Sequence, residues 1–188
     1  MLLVTIGQAF DDVLAAARLG GSWAWETIYE DLAPAVAGYL RARGAPDPDD
    51  LTGEVFLQVV RDLESFEGGE REFRSWVFTI AHHRLLDAAR YEARRPLEPV
   101  VHEDLVRAGP VGHVEDDALT SLRLGRVRRL LERLSPDQQD VLLLRLFGQL
   151  TVEEVARALG KRPGAVKALQ RRGLAALQKE IEREGVTL

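Results

Sequence analysis

Twenty-four consecutive residues, Thr151 to Leu174, constrain the fold of this chain more than any other stretch: TVEEVARALGKRPGAVKALQRRGL reads as two helices joined by a tight turn. Thr151 and Glu154 form a capping box, the hydroxyl accepting from the backbone three residues on while the carboxylate reaches back. Val152, Val155 and Leu159 recur at helical spacing, and Ala156 leaves room for a second helix to cross closely. Gly160 supplies the turn, and Pro163 suits the first turn of the next helix, where a missing N–H costs little. Val166 and Leu169 are the buried side of that second helix. From Lys161 to Gly173 there are five basic residues and no acidic one. A short helix with one apolar stripe and an unopposed basic face has the shape that enters a DNA major groove.

The overall charge of −5 at first contradicts that reading. Divided along the chain, it stops doing so. Residues 1–70 sum to −9, residues 71–97 to +3, residues 98–117 to −5 and residues 118–188 to +6. Two basic segments alternate with two acidic ones, a pattern suited to touching DNA at two places and something else through an acidic part. The 188 residues are enough for one large or two small domains. There is no cysteine, hence no disulfide framework or thiolate metal site. The first ten residues do not resemble a secretion signal, and no apolar run approaches the roughly 18 residues of a membrane span. These features predict a cytoplasmic protein with no membrane insertion.

Helical periodicity runs almost throughout, and no segment alternates as a strand does. Helices are predicted over Phe10 to Leu19, over Trp23 to Arg43 with Pro34 inside, from Asp49–Asp50 through Leu63, and over Phe73 to Arg94. Residues 96–117, with Pro99, Gly109, Pro110 and Gly112 among six carboxylates, read as a flexible acidic linker. A second helical stretch follows, with Leu119, Leu122, Val127, Leu130 and Leu134 as its first stripe. Ser135-Pro136 with Gln138 is another capping box, and Gly148 closes the helix it opens. The predicted fold is all-α: residues 1–95 as one domain, 96–117 as linker and 118–188 as a second domain ending in the helix-turn-helix.

Three segments together resemble an RNA polymerase sigma factor of the extracytoplasmic-function (ECF) type. DDLTGEVFLQVVRDLESF looks like the helix that docks on the polymerase clamp. FRSWVFTIAHHRLLDAARYEARRP looks like the part that opens and reads the minus-10 element. LERLSPDQQDVLLLRLFGQLTVEEVARALGKRPGAVKALQRRGLAAL looks like the reader of the minus-35 element. The resemblance implies core RNA polymerase and promoter DNA as partners, an anti-sigma factor as regulator, no catalytic activity and no cofactor. It also implies that the two domains can be clamped together in an off state and spread in an on state.

On this resemblance the polymerase-binding face is Asp50, Glu54, Gln58 and Arg61, the polar side of the docking helix. Gly53 departs from the family, which commonly has a longer polar residue there. The minus-10 reader would use the loop SFEGGERE and the helix after it. Gly68 and Gly69 permit close backbone approach beside Phe66, while Glu67 and Glu70 can accept from a cytosine amino group. His83 stands where such factors often carry an Asn beside the base flipped out of the element. Arg84, Arg90, Arg94 and Arg95 would hold phosphates. Phe73, Trp76, Val77 and Ile80 share a stripe that packs the domain. In the minus-35 reader, Arg162, Lys167, Arg171 and Arg172 face outward, and the helix start at Pro163 and Gly164 can hold a phosphate. Ala168 and Leu169 replace the hydroxyl residue and arginine frequent in the family.

Two other readings compete. One is a stand-alone helix-turn-helix regulator, which leaves the clamp-like helix and the first basic helix unexplained. The other is a metal-dependent hydrolase using Asp47, Asp49, Asp50, Glu54, His82 and His83. Adjacent helical histidines point about 100° apart and chelate poorly, and carboxylates at a helix N-terminus have a simpler role with the macrodipole.

Overall fold

The computed structural model describes residues 6–94 and 129–183, and every regular element among them is helical. The predicted linker 96–117, together with Arg95, Leu119, Leu122 and Val127, lies outside the described residues.

A single turn at Gly7–Ala9 leads into α1 (Phe10–Arg18), whose Asp11 and Asp12 sit at the positive end of the helix dipole. It buries Phe10, Val13, Leu14 and Ala17. Helix α2 (Ser22–Ala42) buries Ile28, Leu32, Val36, Tyr39 and Leu40 at steps of three, four or one. The helix continues through Pro34. Both Pro34 and Glu30, whose carbonyl loses its donor, are exposed, so water can satisfy the released group. Helix α3 (Pro48–Asp62) opens on Asp47, whose carboxylate accepts from the Asp50 N–H at 3.1 Å, and it buries Leu51, Val55, Phe56 and Val59. A short turn, Leu63–Ser65, ends it.

Helix α4 runs over Glu70–Arg94, three residues earlier than the apolar stripe predicts. The reason is local: the Glu72 carboxylate accepts from the Gly69 N–H at 3.1 Å and caps the first turn. The loop between α3 and α4 is shorter for it. Phe10, Phe66, Phe73 and Trp76 form an aromatic cluster under this loop, with ring centroids 5.1 to 5.7 Å apart. Such pairs contribute about 0.5–1.5 kcal/mol each beyond their area burial.

In the second domain, residues 129–132 are helical, and Leu131 and Leu134 are buried. The Gln139 amide donates to the Leu131 and Leu134 carbonyls at 2.8 and 3.2 Å, which finishes that stretch. Helix α5 (Pro136–Leu146) and helix α6 (Val152–Ala158) both start with complete capping boxes, Ser135 with Gln138 and Thr151 with Glu154. Gly160 then adopts φ 62°. Its N–H donates to Arg157 O, and the Lys161 N–H to Ala156 O at 2.8 Å, a Schellman turn that satisfies the last carbonyls of α6. Helix α7 (Pro163–Arg183) crosses back over α5 and α6, burying Val166, Leu169 and Gly173. The two domains are in contact, α4 lying against α6 and α2 against α5.

Candidate nucleic-acid interface

Helix α7 buries one stripe and leaves the rest to solvent. Arg162, Pro163, Gly164, Lys167, Arg171 and Arg172 are all exposed. Lys161, at the turn, pairs with Asp137 of α5 at 2.8 Å and ties the turn down. Among the described residues, none of Arg162, Lys167, Arg171 and Arg172 makes an ion pair. The first helical bonds run from Ala165 and Val166 to the Arg162 carbonyl, at 2.9 and 3.2 Å, so the Gly164 N–H precedes them at the open start of the helix. Nothing lies within 4 Å of the place a Cβ would occupy on Gly164. The basic side of this helix is open to solvent.

The candidates on the first domain separate into two groups. Trp76, Thr79, His83, Arg90 and Arg94 follow one stripe of α4. His83, Arg90 and Arg94 are exposed at its far end, Arg90 also touching Asp87 at 3.0 Å. At the near end, Phe66 is buried rather than available, stacked on Trp76 at 5.1 Å, with its carbonyl accepting from Arg18. Glu67 and Gly68 are exposed. Glu70 belongs to the first turn of α4, and its carboxylate accepts from the Gly7 N–H at 3.1 Å. Arg84 is half-buried and donates to Gln58 Oε1 at 2.6 Å, which joins α4 to the helix expected to meet polymerase. Arg95 lies outside the described residues.

Of the expected polymerase face, Asp50, Glu54 and Arg61 are exposed on α3. Gln58 is half-buried between Arg84 and Asp62. Sequence reasoning missed the apolar residues beside them. Leu57 and Val60 are 57% and 49% exposed, and Tyr29 of α2 packs its ring 4.8 Å from Phe56. The outward side of α2 and α3 is therefore a shallow apolar groove with Glu26 and Glu30 on its rim.

The histidines diverge. His83 points to solvent, and His82 is buried with Nδ1 2.9 Å from Tyr39 Oη and 3.8 Å from Asp140 Oδ1. Burial, which outweighs the attraction of Asp140, lowers the His82 pKa below its ordinary value and keeps the ring neutral. Burial also pushes the Tyr39 hydroxyl well above its usual range. No group of three or more residues among those described could hold a metal ion. Arg43 completes the network from the end of α2, donating to Asp140 Oδ1 at 2.6 Å and to Gln139 Oε1 at 2.7 Å. A second interdomain pair joins Arg71 and Glu154 at 2.9 Å. Burial raises the Glu154 pKa, but the two Thr151 hydrogen bonds and the Arg71 and Arg157 charges together hold it below 4.5. The sequence carried one signal for this interface: Asp140 shares its stripe with the buried Leu144 and the half-buried Phe147, a carboxylate on an otherwise apolar face.

An all-helical chain with a basic helix-turn-helix at one end, and a second basic helix beside an acidic amphipathic one, has the features of a bacterial transcription initiation factor. Residues 28–95 match the family model of sigma-70 region 2, and residues 124–177 that of sigma-70 region 4. The ECF RNA polymerase sigma factor SigD of Mycobacterium tuberculosis (strain ATCC 25618 / H37Rv) is 32% identical over 188 residues, covering 95% of this chain and 87% of the relative. The ECF RNA polymerase sigma factor BldN of Streptomyces coelicolor is 32% identical over 168 residues, covering 88% and 63%. The fold is similar to that of CnrH, solved in complex with the cytosolic domain of CnrY, at a TM-score of 0.70 and 24% identity over 94% of this chain and 99% of that one. The chain belongs to the ECF family of RNA polymerase sigma factors. It is a promoter-specificity subunit, binding core polymerase and promoter DNA to direct transcription initiation. No described helix is long and apolar enough to cross a membrane.

Proposed function

We propose that the two domains divide promoter recognition between them, residues 1–95 serving polymerase docking and the minus-10 element, residues 118–188 the minus-35 element, and residues 96–117 joining them. The observation that carries this reading is the exposed basic side of α7, on which Arg162, Lys167, Arg171 and Arg172 make no ion pair among the described residues. Those side chains recognise the minus-35 element in the major groove, and Pro163–Gly164 receives a phosphate at the helix start. On α4, His83 stacks on or hydrogen-bonds an unpaired minus-10 base, while Arg84, Arg90, Arg94 and Arg95 hold the backbone. Glu67, Gly68 and Gly69 form the rim of that site, with Glu70 and Phe66 supporting it from beneath.

Core polymerase meets Asp50, Glu54 and Arg61 across α3, and the neighbouring Leu57, Val60 and Tyr29 supply the apolar centre that a stable contact needs. Gln58 positions Arg84 rather than reaching the partner. The chain acts in the cytoplasm, performs no chemistry itself and is restrained by an anti-sigma factor. CnrH, solved bound to the cytosolic domain of CnrY, supports that last assignment by analogy.

Run-off transcription from a pool of genomic fragments, with purified core polymerase, tests the reading. Transcripts that appear only with this protein, downstream of a shared pair of motifs, are the expected result. Absence of both transcripts and core binding would leave a DNA-binding protein that works without polymerase.

A further inference from the structure

The crest of the loop between α3 and α4 is held from both sides. Phe66 is buried, its N–H donating to the Leu63 carbonyl at 3.2 Å and its ring stacked on Trp76. Its carbonyl accepts from the Arg18 guanidinium, and that carbonyl shares one rigid peptide plane with the Glu67 N–H. On the other side, the Glu72 carboxylate accepts from the Gly69 N–H at 3.1 Å, which fixes the plane between Gly68 and Gly69. Glu67 and Gly68 stand between the two clamped planes, and both are exposed. Gly68 has little freedom of its own. It sits at φ 141°, and a Cβ there would meet Glu72 Cβ at 2.8 Å.

The two clamps have different origins. Glu72 belongs to the first turn of α4 and caps it, so that clamp comes with the helix. Arg18 comes from 48 residues away, in the last turn of α1. That helix lies outside residues 28–95, the stretch matching region 2. It is nonetheless anchored to the start of α4. The Gly7 N–H just ahead of it donates to Glu70 at 3.1 Å, and the Phe10 and Phe73 rings are 5.6 Å apart. Arg18 is exposed while Leu14 and Ala17 are buried, so α1 packs without its side chain. What the guanidinium does is hold a loop carbonyl by a charge-assisted bond, roughly twice as strong as a neutral one.

Resting on the promoter reading above, we propose that Arg18 is a positioning residue for minus-10 recognition. By fixing the Phe66–Glu67 peptide plane it aims the Glu67 carboxylate at the unpaired base, and through it α1 takes part in choosing promoters. Discrimination by a hydrogen bond requires the acceptor to be held within about 0.5 Å of its place. With the Arg18 clamp gone, the peptide plane turns and Glu67 samples several directions. A cytosine amino group then loses its advantage over other base edges. Affinity for the promoter backbone, supplied by the arginines farther along α4, is untouched.

The test uses the full chain with core polymerase and a promoter library varied at each minus-10 letter over a fixed minus-35 element. R18M keeps the aliphatic stem and R18A removes it. Both lose the donor, so either carries the test should the other fail to fold by circular dichroism. The readout is the ratio of run-off product between the best and the worst letter. At the letter where E67A lowers this ratio, R18M and R18A should lower it about threefold or more. A matching library varied at the minus-35 element should keep its ratios. In the E67A background R18M should add nothing further, because the two residues act as one unit. Amide exchange at residues 67–69, read without DNA, should be faster in R18M. A fall in product by one common factor for all letters, an additive loss in the double variant, or unchanged exchange overturns the role of Arg18. Absence of transcripts from the wild type, or wild-type ratios in E67A, overturns the promoter reading instead, since the exchange measurement does not depend on it.

Discussion

Gly53 shows how a single residue can be chosen for something other than stability. It sits in the middle of α3 with nothing within 4 Å of a notional Cβ, so neither packing nor backbone conformation asks for glycine. Glycine inside a helix costs about 0.5–1 kcal/mol relative to alanine. Gly53→Ala should therefore raise the free energy of unfolding by about that amount, read as a shift of the urea midpoint at unchanged slope. A decrease would mean that α3 is strained at this point. Glu154 illustrates the opposite economy, one carboxylate serving the Thr151 cap and the Arg71 pair at once. Its folded pKa lies below 4.5, so its contribution is complete above that pH and is lost as pH falls through the folded value. Glu154→Gln should remove this acid-side dependence and cost about 1 kcal/mol at neutral pH through the weakened cap, as pH-dependent denaturation would report.

Among the elements, α7 carries the clearest electrostatic prediction. If Lys167 and Arg171 each neutralise a phosphate, alanine at either position reduces the slope of log K against log salt by about 0.9. An equal loss of affinity for all sequences marks a phosphate contact, whereas relaxed preference at one base pair marks a base contact, and fluorescence anisotropy over a salt series separates the two. The helix-turn-helix was legible because each of its parts is local: two caps, one turn glycine and one apolar stripe. The helices α1 to α3 were legible for the same reason. The start of α4 was not, because the Glu72 side chain capping on Gly69 extends the helix ahead of its first apolar residue. The burial of Phe66 was not legible either, since nothing local announces that Arg18 and Trp76 will cover it. The groove formed by Tyr29, Phe56 and Val60 was equally hidden, being shared between two helices whose relative rotation the sequence does not specify.

For the whole molecule, the least legible feature is the contact between domains, which joins Arg43 to Asp140 across almost a hundred residues. Its charged groups also make it sensitive to acid. His82 on α4 faces Tyr39 and Arg43 of α2, Asp140 of α5 and His83 beside it. Burial holds it neutral, with a folded pKa below the ordinary 6.5. A base whose pKa is lowered on folding binds protons more readily when unfolded, so stability rises with pH across the interval between the two values. The contribution is intact above 6.5 and declines as pH falls below it. Denaturant midpoints measured between pH 8 and pH 5 should thus be flat at first and fall below about 6.5. In His82→Gln the decline in this interval should be smaller, with carboxylate titration near pH 4 unchanged. An identical profile for wild type and variant would place the acid sensitivity elsewhere.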